Sequence, residues 1–499
     1  MQFFPWQSCR LAVITAGIVG SIGRLCLVAC TLIGLTRAQT AVAQPCNQRI
    51  VLPGSVDSCL GMTTGLDEEA FAVVLQPDGK IVVGGGFGRY DGRTFKRIVR
   101  LDATGVPDPA FVGGDVLSTT DGGVYDMALQ PDGKLVLVGE FMIQTPNGTG
   151  RGIRRLLADG SPDAGFRPFG LNSTVWCVAL HDSGKILVGG GFTRNGGGQR
   201  LGRIARLTSA GEVDPTFNVG TGFDGSVLAM LVQPDGKVLV GGGFRAFNGV
   251  PRRNIARLNG DGSLDTSFRV DPGPDASIYA LALRPDGKIM VGGHFRYYDR
   301  AFRQYLARIQ PNGVLDPTFR DPVLNGFVES IAVQPDGKVL VGGSFDSPGR
   351  RIARFDTNGA NDNRFNNWSS GFQVAGGGFV DVNALVLQPD GRAIAVGRFD
   401  TYNGVARKNV ARLYTSTTPL VSNKATLQRA DLRPMPNPAS TGFVLQGLPS
   451  STEVRLYDVL GRQVLSSTMA PGQSVDLRGL LPGLYRWTAG ESKGSLMVR

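Results

Sequence analysis

A five-residue phrase, Gln233-Pro234-Asp235-Gly236-Lys237, returns along the chain about every fifty residues, and it constrains the fold more than any other feature. Its glycine falls at Gly79, Gly133, Gly184, Gly236, Gly287, Gly337 and Gly391, with gaps of 54, 51, 52, 51, 50 and 54 residues. The third copy departs, reading His181-Asp182-Ser183-Gly184-Lys185. A repeat this short cannot bury an apolar face alone, so the seven copies must stack on one another.

One copy reads physically as follows. Ser226 to Val232 is an apolar-rich strand. Proline pre-sets the first position of the turn at Pro234-Asp235-Gly236, aspartate suits the second, and glycine closes the loop in the left-handed conformation. Val238-Leu239-Val240 is a second strand ending in Gly241-Gly242-Gly243-Phe244, and Asn254 to Leu258 is a third. Asp261-Gly262 turns the chain into a short fourth strand, Ser263 to Phe268. Four antiparallel strands per copy make one propeller blade. The 71 glycines among 499 residues fit the many tight turns this needs and argue against helix bundles and doubly wound folds. A solenoid would need polar caps at both ends, and none is visible. The expectation is an all-β chain whose residues 44–414 form a seven-bladed β-propeller.

The two ends of the array complement each other. The seventh copy stops at Val410-Ala411-Arg412-Leu413, without a fourth strand. Ahead of the first copy, Gly54-Ser55-Val56-Asp57-Ser58-Cys59-Leu60 resembles Gly262-Ser263-Leu264-Asp265-Thr266-Ser267-Phe268. The amino-terminal segment therefore carries the strand that completes blade seven and removes an exposed edge.

Residues 1–43 hold three arginines, no acid, an apolar run from Leu25 to Leu35, and Ala41-Val42-Ala43 before Gln44. This pattern predicts a secretory signal peptide cleaved after Ala43. Arg24 interrupts the apolar stretch that a membrane anchor would need, so no transmembrane segment is expected after processing. Leu27-Val28-Ala29-Cys30 also resembles a lipoprotein signal. Export places Cys46 and Cys59 in an oxidising space, where they could pair. Cys177 stands where sister copies have Ala72, Ala229, Ala280 and Ala384, and reads as a small buried residue.

A net charge of +11 invites a nucleic-acid reading. The repeated bases argue otherwise. Each copy supplies an arginine on its third strand (Arg257 in copy four) and a base after the turn (Lys237). Acids recur in the turn (Asp235) and the fourth strand (Asp265). Groups present in every blade read as internal pairs and turn caps, so no nucleic-acid partner is expected. The two histidines, His181 and His294, exclude a multi-histidine metal site, and the loop at Asp261 lacks the closing glutamate of an EF-hand. No metal or cofactor is expected.

The pattern of Gln-Pro-Asp-Gly-Lys, Gly-Gly-x-Phe, Ile-Ala-Arg-Leu and Asp-Gly-x-Leu-Asp-x-x-Phe resembles the delta-60 repeats of bacterial secreted propellers over residues 54–414. That resemblance implies the propeller fold and no single activity. After a linker at 415–430, Pro436-Asn437-Pro438, Leu456-Tyr457-Asp458 with Gly461-Arg462, and Leu481-Pro482-Gly483 with Tyr485 resemble the type A sorting domain of the Bacteroidetes type IX secretion system, over residues 431–499. Members often end in lysine, whereas this chain ends Met497-Val498-Arg499. By size and pattern this segment is a small β-sandwich. The resemblance implies the type IX secretion machinery as a partner, and a secreted or cell-surface protein.

The most informative variation lies just before the phenylalanine of Gly-Gly-x-Phe, at Gly86, Glu140, Gly191, Gly243, His294, Ser344 and Arg398. Glu140, His294, Ser344 and Arg398 are the candidate ligand-binding residues, set where the loops after strands two and four share one face. The expected function is a monomeric binding or scaffold propeller for an extracellular glycan or protein. The alternative is a secreted hydrolase or lyase using carboxylates at the channel mouth, and channel acids with raised pKa would favour it.

Overall fold

A computed structural model describes residues 50–62, 64–113, 122–145, 148–365, 370–416, 418–419, 433–435, 442–446, 451–458, 462–470, 473–489 and 492–498. Residues 1–43, where a signal peptide is expected, Cys46, most of residues 415–430, Pro436, Asn437, Pro438 and Gly461 lie outside the described residues.

Each copy folds as a three-stranded antiparallel sheet. In the fourth, Val227–Val232 pairs with Val238–Gly242, which pairs with Ile255–Leu258. The hairpin turn forms as the sequence predicts: the Gln233 N–H donates to the Lys237 carbonyl at 2.8 Å, and Gly236 has φ +77°. The first strands of the seven sheets are Ala70–Leu75, Val124–Leu129, Val175–Leu180, Val227–Val232, Ile278–Leu283, Val328–Val333 and Asp381–Leu387. Each touches the next, and the last touches the first. They therefore encircle one axis, and the ring is closed. Adjacent sheets approach closely through the paired glycines. A Cβ on Gly241 would lie 2.6 Å from Ile278 Cγ2 of the next blade, so a side chain there would force the blades apart.

The fourth strand is shorter than expected. Leu258 meets Leu264 in a single bridge, after which the chain curls at Asp265. The reason lies in the Asp-x-x-Phe run. The Phe268 N–H returns to the Asp265 carbonyl, and this turn lays the Phe268 ring under the Arg257 guanidinium at 4.8 Å. Six blades repeat this stack, from Arg100 on Phe111 to Arg354 on Phe365.

The repeated charges are internal, as the sequence predicts. Asp265 Oδ2 accepts from Arg257 Nε at 2.7 Å and from Lys237 Nζ at 2.9 Å. Burial would raise that carboxyl, but the hydrogen bonds from Ser267 and Lys237 and from Arg257 outweigh it and hold it well below the ordinary range. Arg257 Nη1 also donates to the Pro311 carbonyl of the next blade at 2.5 Å. Equivalent bonds run round the ring, and Arg412 of blade seven reaches the Ala103 carbonyl of blade one.

The amino-terminal segment completes blade seven. Val56 bridges Leu413, the Asp57 N–H donates to the Arg412 carbonyl at 2.7 Å, and Ile50–Val51 pairs with Thr418–Pro419. Asp57, fully buried, takes both bases of that blade, Arg412 at 2.7 Å and Arg392 at 2.6 Å. Cys59 is disulfide-bonded. Cys177 is a free, buried thiol.

The carboxy-terminal segment is a sandwich of two sheets. One holds Arg433–Met435, Gly442–Gln446 and Ser474–Asp476. The other holds Gln463–Met469, Thr452–Tyr457, Gly483–Ala489 and Ser492–Val498. Phe443, Leu445, Leu456, Trp487 and Leu496 belong to their common core. Arg462 staples the hairpin after Tyr457, its backbone N–H and Nε donating to Asp458 at 2.9 and 2.7 Å. The Tyr485 hydroxyl donates to the Leu481 carbonyl at 2.7 Å, closing the turn that contains Pro482 and Gly483. The described residues include no helix long and apolar enough to cross a membrane.

Candidate functional site

Every inner strand breaks register near its start, at the second residue in six blades and the third in blade seven, giving seven β-bulges at one height. A bulge removes a residue from the ladder and re-aims its side chain. The bulged residues are Phe71, Tyr125, Trp176, Leu228, Tyr279, Glu329 and Asn383. They stand at the end of the inner strands where the middle strands finish, opposite the Pro-Asp-Gly turns. Three consecutive blades present aromatic rings: Phe71 meets Tyr125 edge-on at 5.0 Å, and Tyr125 stacks on Trp176 at 4.9 Å.

From blade one back through the adjoining blades seven and six the chemistry changes to carboxyl groups. Asp381 is fully buried, and neither carboxyl oxygen meets a donor in hydrogen-bonding geometry. Burial, with the charges of Glu329 and Glu69, pushes this carboxyl well above the ordinary range. Glu69 accepts from Asn383 Nδ2 at 2.8 Å and is raised by burial, against the opposing hydrogen bond from Asn383 and the charge of Arg398. Glu329 is pushed up to about 8 by burial and by the Glu69 charge, with Arg351 opposing. One layer back, burial raises Asp126 to about 6 despite N–H bonds from Val178 and Met127, each at 2.8 Å. Three mutually repelling acids beside an aromatic strip can bind cations, hold protons, or donate them.

The residues singled out from the sequence surround this ring. Glu140 reaches inward, accepting from the Tyr125 hydroxyl at 3.0 Å and pairing with Arg151. The His294 ring packs on Phe327 at 3.9 Å between centroids, and burial holds its pKa below the ordinary value. The Ser344 carbonyl accepts from Arg351 Nη1 at 2.7 Å. Arg398 is exposed, and its charge acts on Glu69. His181, which replaces a repeated glutamine, bonds the Gly236 carbonyl of the next blade through Nε2 at 3.0 Å. Sequence reasoning missed Glu69, Glu329 and Asp381. Glu329 carried a signal, since it puts an acid where five sister copies have an apolar or aromatic residue. A separate cleft of about 240 Å³ lies at the flank, lined by Arg200, Leu201, Phe217 and Asn218 among others.

Seven segments of the chain, residues 76–111, 130–166, 182–217, 233–268, 284–319, 334–365 and 388–415, match the family described as a domain of unknown function (DUF5122) beta-propeller. Residues 435–499 match the secretion system C-terminal sorting domain. No curated protein matches the chain. Similar solved structures include PorZ, a surface component of the type-IX secretion system of Porphyromonas gingivalis, at 14% identity and TM-score 0.40, covering 87% of this chain and 60% of that one. The extracellular domain of BT4673 from B. thetaiotaomicron is 12% identical with TM-score 0.42, covering 90% of this chain and 58% of that one. Virginiamycin B lyase from Staphylococcus aureus is 12% identical with TM-score 0.42, covering 71% of this chain and 97% of that one. The chain thus spans about 60% of the length of the first of these structures.

Proposed function

Because this chain belongs to the DUF5122 β-propeller family and carries a type IX sorting domain that addresses it to the cell surface or the medium, we propose that its channel mouth binds an extracellular glycan or protein. The sorting domain implies the type IX secretion machinery as the export partner. The observation that carries the binding reading is the run of rings Phe71, Tyr125 and Trp176 continuing into Glu69, whose charge acts on Tyr125 and on Glu329. Aromatic faces pack against sugar rings or alkyl chains, and carboxyl groups bond their polar substituents. Glu140, His294, Ser344 and Arg398 form the outer rim in this reading, and the propeller acts as a monomer.

A second reading is a hydrolase or lyase acting on polysaccharide at the same mouth. It is favoured by the raised carboxyl groups, since a carboxylic acid still protonated near neutral pH can serve as a general acid. The test is an array of glycans and extracellular proteins probed with the mature chain, with product analysis of every hit. Replacing Glu140 and Arg398 together by alanine should abolish capture. Full capture by the double variant would show that rim position to be merely tolerant. Cleaved products would decide for the enzyme.

A further inference from the structure

Three carboxyl groups gather at the channel mouth, Glu69 with a bond from Asn383 and Asp381 with no side-chain donor. Asp381 is sealed from solvent, no donor reaches its carboxyl oxygens in good hydrogen-bonding geometry, and the Arg398 backbone N–H on the paired strand only partly offsets its burial. Its neighbours are Glu69 and, from blade six, Glu329. The arginines nearby do not fill the deficit. Arg351 is tied to the Ser344 carbonyl at 2.7 Å and to Asp346 at 3.3 Å, and Arg398 lies exposed at the rim. Among the described residues no three His, Cys, Asp or Glu side chains are placed to hold one metal ion together. A larger cation with several donors suits spread-out acceptors better. Tyr125 and Tyr279 stand at the bulges of the blades next to Glu69 and Glu329 and feel their charges, and aromatic faces attract organic cations.

We infer that the mouth binds an alkylammonium group, presented by a lysine side chain or a free amine, at Glu69 and Glu329. Asp381 stands behind as a positioning residue that shares its proton with Glu69. The inference rests on the reading of the mouth as a binding site and names the chemistry it selects. It also sets a pH dependence. The groups facing the three acids are Arg398, Arg351, Asn383, Tyr125 and Tyr279, and both tyrosines are raised above their ordinary value by burial. Of these facing groups and the three acids, only the carboxyl groups change charge between about pH 5 and 8, while an alkylammonium stays charged and the rim residue His294 is held below its ordinary value by burial. Protons and the ligand therefore compete, and binding weakens as pH falls.

The full chain is titrated with cadaverine, trilysine, 1-pentanol and calcium chloride, following the melting midpoint and the heat of binding in two buffers of different ionisation enthalpy. Cadaverine should raise the midpoint near pH 8, bind about tenfold more tightly than pentanol, and release protons. Near pH 5 the response should fall away. Glu329→Gln should abolish the response. That variant removes a crowded charge and keeps the fold. Asp381→Asn should keep cadaverine binding but move its pH midpoint downward. A trilysine response exceeding that of cadaverine supports the inference and assigns the group to a protein ligand. A stronger cadaverine response supports it and assigns a free amine. Equal responses to pentanol and cadaverine, a larger one to calcium, or an unchanged one in Glu329→Gln overturn the inference. If Glu329→Gln is neutral while Glu140→Ala with Arg398→Ala still abolishes array capture, the binding reading stands and only the ammonium assignment falls.

Discussion

Replacing Asp57 by alanine should loosen the whole ring, although Asp57 lies outside the seven repeats. Its carboxyl accepts from Arg412 Nε at 2.7 Å, Arg392 Nη1 at 2.6 Å and the Cys59 N–H at 2.8 Å. The Arg412 side chain is 2% exposed, so the variant leaves a buried guanidinium without its anion. Removing one partner of such a pair costs about 3–5 kcal/mol. A cooperative ring of roughly 360 residues has an unfolding entropy near 0.8 kcal/mol/K at its midpoint, so the melting temperature should fall by about 4–7 °C. Asp265→Ala removes the same chemistry inside a continuous stretch of chain and is the matched control. The pH dependence has a definite sign. Burial raises Asp57, but Arg412, the Cys59 N–H and Arg392 outweigh it, so the folded pKa lies below the unfolded one. The stabilisation is therefore fully present above about pH 4 and disappears as pH falls through the folded value. Scanning calorimetry of parent and variant at several pH values measures both effects. A shift under about 1 °C at neutral pH would mean that the amino-terminal segment does not clasp the ring.

Two other outcomes follow from the same structure. Deleting residues 431–499 should leave a folded propeller that melts as the parent ring does but stays in the periplasm, and secretion of the truncated chain would contradict this. Glu329→Gln should stabilise the protein near pH 8 by about 1–3 kcal/mol and change little near pH 4. A carboxyl raised on folding to about 8 loses stability as pH climbs from the unfolded value through that range, and the amide removes the loss.

Much of the fold was legible because each blade repeats the same local chemistry. The left-handed glycine at Gly236, the Asp265 partners and the match between Asp57 and Asp265 all follow from residue identity and spacing. The fourth strand was overread because Asp-x-x-Phe looks extended in sequence, whereas the Asp265 turn and the Arg257–Phe268 stack curl it after one bridge. The mouth was only half legible. Alternation along a strand assigns the second inner residue to one face of the sheet, and a bulge is invisible to that pattern. Glu69 and Asp381 also precede the repeated phrase, in segments whose sequence varies from copy to copy. Only ring closure brings blades six, seven and one together, so the acid cluster is a property of the closed structure.

The most direct test of the account is the titration of those acids in the intact protein. Carbon-13 carboxyl resonances can be followed by NMR against pH and assigned by Glu69→Gln, Glu329→Gln and Asp381→Asn. Crowding and burial predict that Glu329 titrates near about 8 and that Asp381 remains protonated well above the ordinary carboxyl range. All three groups titrating near about 4 would contradict the account, because the acids would then be solvated and apart.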